Sequence, residues 1–172
     1  MQHLPTQMTP LEWRASFGFA SLYGLRLLGM FLLLPIFALY APTLEGGGNP
    51  LWIGITLGAY GATQFIMQLP FGLWSDRFGR KKIIQIGLVL LLAGSLIAAL
   101  APNIYWMAIG RALQGAGAVS AAIMALLADL TREEIRTRAM AIIGMSIGLT
   151  FSISLVLGPL LAQWIGLQGI FY

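Results

Sequence analysis

Cysteine is absent from the 172 residues and histidine occurs once, which leaves no disulfide framework, thiolate nucleophile or Cys/His metal cluster. Charge is nearly as scarce, at 9% of residues against about 25% in an ordinary soluble domain. No nucleophile elbow, metal-ligand cluster or phosphate-cradling glycine loop occurs, so nothing supports an enzyme or a resident cofactor. What is present is apolar: 58% of the residues are hydrophobic, too many for the surface of a soluble core. A bilayer, whose hydrocarbon interior is about 30 Å thick, asks for apolar runs of about 20 residues. The chain supplies such runs repeatedly.

The net charge of +4 raises nucleic acid as a partner, and the placement of the basic residues decides against it. They fall between apolar runs rather than along one face. Reading those runs between breakers predicts membrane spans near 17–41, 51–74, 83–100, 104–127 and 139–165, with a sixth beginning near Ile170. The interruptions have loop chemistry: Glu45 to Pro50, Ser75 to Lys82, Pro102 and Asn103, Asp129 to Arg138, and Gly166 to Gly169. The expected fold is an all-α membrane protein. Pro5, Pro10, Glu12 and Arg14 precede a first run with no small-residue cleavage site behind it, which reads as an uncleaved span rather than a signal peptide.

Loop charge sets the expected orientation, because Lys and Arg collect on the cytoplasmic side of short loops. Arg14 precedes span 1, Arg77, Arg80, Lys81 and Lys82 separate spans 2 and 3, and Arg132, Arg136 and Arg138 separate spans 4 and 5. The alternate loops hold no basic residue. The N-terminus is therefore expected in the cytoplasm. Trp13, Trp52, Trp74, Trp106 and Trp164 each lie within a few residues of a span end, where indoles prefer the interface. A faint repeat pairs Gly54, Gly58 and Pro70 with Gly144, Gly148 and Pro159, and Arg26 and Gly29 with Arg111 and Gly115. Inverted repeats of three plus three helices are a transporter architecture.

Between spans 2 and 3 the chain reads Gly72-Leu73-Trp74-Ser75-Asp76-Arg77-Phe78-Gly79-Arg80-Lys81-Lys82-Ile83-Ile84. This resembles the signature of the major facilitator superfamily, with Trp74 where an aliphatic residue is usual. A tight turn needs Gly72 and Gly79, and Asp76 needs a cation or a helix N-terminus to neutralise it. The resemblance implies an N-terminal helical bundle of that fold, with Gly72, Asp76, Arg77, Gly79, Arg80, Lys81 and Asp129 as gating residues. The segment Ile109 to Ala118 is similar to the span-4 arginine motif of the drug and proton antiporter branch. Gly158-Pro159 meets that branch's span-5 signature in part, since Ser154 and Ala162 stand where glycines are usual. Met8-Thr9-Pro10, Leu25 to Phe31 and Gly110 to Arg138 resemble the YajR-type branch of drug efflux proteins.

Arg26 and Arg111 are the ionisable side chains inside spans, and a mid-membrane arginine is costly unless it faces protein or water. They read either as cavity groups or as structural arginines bonding backbone carbonyls. Helical spacing groups Gln114 with Arg111, Gln64 with Gln68, and Tyr23 and Met30 with Arg26. The resemblance makes Arg26, Arg111, Gln64, Gln68, Gln114 and Tyr23 candidates for the wall of a substrate cavity; polar glue between helices is the alternative. Ser146, Thr150 and Ser154 form a stripe suited to close helix packing. Thr131 to Glu134 fits a capping box. No carboxylate lies inside a span, so a coupling proton would need Asp76, Asp129 or the other half of the transporter; His3 is terminal and an improbable relay.

The resulting expectation is transport of a small solute by alternating access in a bacterial inner membrane. Its partners are the small-molecule substrate, the lipid bilayer and a C-terminal transporter half absent from this sequence. Export of amphipathic or drug-like compounds, with protons as a candidate coupling ion, stands against two alternatives: uptake of a polar metabolite, and a non-transporting module that packs against a partner half.

Overall fold

A computed structural model describes residues 8–117 and 119–169. Histidine 3, Pro5 and the start of the sixth span near Ile170 lie outside them. The described residues form six helices: α1 (Pro10–Tyr40), α2 (Pro50–Phe78), α3 (Arg80–Ala99), α4 (Ile104–Ala116), α5 (Ser120–Leu130) and α6 (Glu133–Gly169). A single 3-10 turn, Ala41–Thr43, follows α1.

The helix starts follow from capping chemistry. Thr9 accepts from the Glu12 N–H at 3.3 Å while the Glu12 carboxylate accepts from the Thr9 N–H at 2.8 Å, a reciprocal box with Pro10 in the first turn. Asn49 accepts from the Leu51 N–H ahead of α2, and Asn103 from the Trp106 N–H ahead of α4. The box expected at Thr131 does not form. Thr131 lies beyond Leu130 and donates back to the Leu127 carbonyl at 2.8 Å, and Arg132 provides the carbonyl that accepts from Ile135 and Arg136. Glu133 and Glu134 then occupy the first turn of α6, where acidic side chains suit the helix dipole.

Several boundaries differ from the sequence reading. The turn expected over Ser75 to Lys82 contracts to Gly79, whose φ of 98° is a conformation that favours glycine. The fourth span is interrupted between Ala116 and Ser120, so it is built from α4 and α5. Gly166 to Gly169, expected as a loop, continues α6.

α1 lies along α6, while α2 and α3 both pack on α4. Close approach depends on absent side chains: a Cβ on Gly115 would overlap the Tyr60 carbonyl oxygen and the Thr63 hydroxyl of α2. Thr63 in turn donates to the Ala112 carbonyl at 2.8 Å. Buried Thr150 and Ser154 lie on α6, and a Cβ on Gly24 of α1 would meet the Thr150 hydroxyl. Gly54, Gly58, Gly144 and Gly148 face open space instead.

Among the described residues, Pro10–Phe37, Arg80–Ala99, Ile104–Leu130 and Glu133–Leu161 are long and apolar enough to cross a membrane. α2 is equally long but diluted by Gly54, Gly58, Gly61, Thr56, Thr63, Gln64 and Gln68. Large apolar side chains such as Phe65, Leu69 and Trp164 lie on the outer surface, which suits a lipid or protein environment rather than water.

Candidate functional site

Two constellations of arginine stand out, one at the basic end of the bundle and one within it. At the basic end, Gly79 turns the chain so that Arg80, the first residue of α3, reaches back over the last turn of α2. Its Nη1 donates to Asp76 Oδ1 at 2.6 Å and to Ser75 Oγ at 3.3 Å, while its Nε donates to Asp129 Oδ2 of α5. Buried Ser75 donates onward to the Gly72 carbonyl at 2.7 Å. One guanidinium thus ties three helices. Three consecutive cations at the N-terminus of α3 oppose its dipole, and the two carboxylates offset them. Both carboxylates are exposed, so each pair contributes only about 0.2–1 kcal/mol. Arg77 and Lys81 stay outside the cluster, Arg77 with its guanidinium 5.9 Å from the Phe78 ring centre.

A second charged contact at this end was not read from the sequence. Glu12 is 3% exposed and accepts from Arg132 three times: from the backbone N–H at 3.1 Å, Nε at 3.0 Å and Nη2 at 3.0 Å. This bidentate clasp fastens the start of α1 to the turn between α5 and α6, and the carboxylate raises the Arg132 pKa further above its ordinary value. The Thr9-x-x-Glu12 spacing was the legible half of it.

Within the bundle, a cavity of about 220 Å³ opens among α1, α2, α3 and α4. Its polar lining is Arg26, Tyr60, Ser95, Arg111 and Gln114, set among Leu25, Leu28, Met30, Leu32 and Leu91. Arg26 and Arg111 are 5% and 2% exposed. Arg26 bridges the break in the fourth span, donating from Nη1 to Ser120 Oγ at 2.8 Å and from Nη2 to the Gly117 carbonyl at 3.0 Å. It therefore has a structural task as well as a place in the cavity. Arg111 lies 4.6 Å from the Tyr60 ring centre and donates to Gln114 Oε1 at 2.8 Å. Gln114 donates its amide N–H to Ser95 Oγ at 2.8 Å. The Nε atoms of Arg26 and Arg111 and the Tyr60 hydroxyl are buried without a hydrogen-bond partner.

The cavity brings together Arg26, Arg111 and Gln114 from the sequence candidates. Gln64, half-buried, and Gln68, exposed, stand elsewhere on α2, and Tyr23 packs into the apolar core beside Phe19. Tyr60, Ser95 and Ser120 were not singled out in advance. Among the described residues no Asp or Glu lines the cavity, and no group of acidic and histidine side chains could hold a metal ion.

An all-helical bundle with an apolar exterior and charged turns is an integral membrane protein. The chain belongs to the Major Facilitator Superfamily, whose family model matches residues 19–172. It is similar to the inner membrane transport protein YajR of Escherichia coli, at 52% identity over 96% of this chain and 36% of that protein. An uncharacterized transporter of Buchnera aphidicola from Acyrthosiphon pisum is 44% identical over 96% of this chain and 42% of its own length. Multidrug resistance protein 2 of Bacillus subtilis is 30% identical over 77% of this chain and 32% of its own length. The chain thus spans well under half of the relatives it matches.

Proposed function

We propose that the chain supplies five membrane-crossing helices of the N-terminal bundle of a transporter that moves a small solute by alternating access. The five are α1, α2, α3, α4 with α5, and α6. The observation that carries this reading is the cavity among α1, α2, α3 and α4, lined by Arg26, Tyr60, Ser95, Arg111 and Gln114, in which a solute could be held.

The direction we favour is export of amphipathic compounds across a bacterial inner membrane, supported by the likeness to a multidrug resistance protein. The Asp76–Arg80–Asp129 cluster is the gate element: it ties the ends of α2, α3 and α5 at the cytoplasmic face, and the family resemblance has this motif clasp the second bundle in the outward-open state and release it in the other. If protons drive the cycle, their carrier is a carboxylate from the rest of the transporter, since Arg80 engages both Asp76 and Asp129.

Purified fragment in liposomes should insert and carry nothing, whereas the complete transporter carries solute; flux through the fragment alone overturns the two-bundle mechanism. Orientation is checked with introduced cysteines. Gly48 is the position to use in the α1–α2 loop, because a Cβ there meets open space while one on neighbouring Gly47 would strike the Ala41 carbonyl. Gly48→Cys should react with an impermeant thiol reagent outside intact cells and Lys82→Cys should not. The reverse pattern contradicts a cytoplasmic N-terminus.

A further inference from the structure

We propose that the cavity within the bundle selects for an anionic group on the transported solute, a carboxylate or phosphate held against Arg111 and the Tyr60 hydroxyl. The inference rests on the transport reading and specifies its substrate class. Three facts lead to it. Arg26 and Arg111 bring two guanidiniums to one cavity, and among the described residues no carboxylate lines it. Both side chains, with Tyr60 at 4% exposed, are more than nine-tenths buried, so water does little to offset the charge. Donor capacity is left over: Arg26 Nε, Arg111 Nε and the Tyr60 hydroxyl have no partner.

Buried polar groups are normally hydrogen-bonded, and a buried charge is normally paired. Gln114 offers Arg111 a dipole, and the Tyr60 ring offers a π face, but neither carries a negative charge. Arg26 spends two donors on the break between α4 and α5, which fixes its position and leaves its charge uncompensated. A solute anion would supply the missing charge and accept from the spare donors. A cationic solute would meet repulsion from both arginines. The leucines and Met30 along the same wall suit an apolar body behind that anionic head, and about 220 Å³ accommodates the head.

The test uses the complete transporter, purified in detergent, and three fluorescent probes sharing one apolar body: dansylglycine (anionic), dansylglycinamide (neutral) and dansylethylenediamine (cationic). Binding is read from dansyl fluorescence. The anion should bind about tenfold more tightly than the neutral probe, as expected of hydrogen bonds to a charged group, with the cation weakest. Arg111→Gln should collapse that preference, and isosteric Tyr60→Phe, which removes only the hydroxyl, should weaken anion binding about threefold while leaving the unfolding temperature unchanged. Equal binding of all three probes, cation preference, or no binding of any probe overturns the proposal. So does an anion preference that survives Arg111→Gln. A carboxylate from the second bundle already seated on Arg111 would appear as absence of anion preference in the parent protein. Liposome flux separates this proposal from the transport reading: charge-ordered binding without flux contradicts transport alone, and flux without charge order contradicts the anion site alone.

Discussion

Arg80 and Arg111 carry the same guanidinium into opposite surroundings. Arg80 sits at the basic end with a carboxylate from α2 and another from α5, each more than half exposed. Arg111 sits inside the bundle, 2% exposed, with an amide and an aromatic face but no carboxylate. The first site is electrostatically nearly balanced, with screened contacts that are cheap to break. The second is expensive and unbalanced. A contact that must open and close during a transport cycle suits the first arrangement, since states separated by a few kcal/mol can be exchanged by small changes. A charge kept dry without a counter-ion suits recognition of something that arrives.

Supplying the missing counter-ion should have the largest effect. Ser95→Asp places a carboxylate in the cavity beside Gln114, and anion binding should fall about a hundredfold, roughly 2.7 kcal/mol, as like charges meet. Unchanged binding would mean that the cavity does not sense charge. At the other site, Asp76→Asn removes one of Arg80's two carboxylates while keeping its shape. Transport by the complete protein should fall about threefold, equivalent to about 0.7 kcal/mol and within the range of one exposed ion pair, and a cysteine at the outer gate should become more protected from periplasmic reagent. Membrane abundance is measured alongside, because a folding defect would mimic the loss. A normally abundant variant with parental transport and accessibility would reduce Asp76 to a turn residue.

Smaller effects separate these sites from their neighbours. Glu12→Gln breaks the clasp with Arg132 and should lower the unfolding temperature by a few degrees without changing which solutes bind; altered solute charge preference would show that the clasp and the cavity are coupled. Lys82→Gln, at an exposed position beside the Arg80 cluster, should change neither transport nor gate accessibility. A clear loss there would extend the gate beyond Arg80.

The two arginine sites were unequally legible in the sequence. Asp76, Gly79 and Arg80 lie within five residues, so local spacing and turn chemistry nearly determine their meeting; only Asp129 had to be brought from a distant helix. Arg26 and Arg111 were visible as charges inside apolar runs. Their partners Tyr60 and Ser120, and Ser95 bonded to Gln114, were not, because they depend on the rotation and register of α2, α3 and α5, which helical spacing leaves free. The same freedom leaves Gln64 and Gln68 off the cavity. The interruption between Ala116 and Ser120 was hidden because small residues are compatible with a continuous helix in lipid, and what holds the break is Arg26, about 90 residues earlier in the chain. Thr131 to Glu134 matched a capping pattern, yet Thr131 bonds backward to Leu127, while the box that does form is at the same spacing in Thr9 to Glu12.

The division of labour between the two guanidiniums is tested most directly by one ratio: liposome flux of dansylglycine over that of dansylglycinamide, measured in the complete transporter, in Asp76→Asn and in Arg111→Gln. A gate acts on every solute alike, so Asp76→Asn should slow both probes and leave the parental ratio intact. Arg111→Gln should bring the ratio close to one. A shifted ratio in Asp76→Asn, or a parental ratio in Arg111→Gln, would contradict the assignment of gating to Arg80 and solute charge to Arg111.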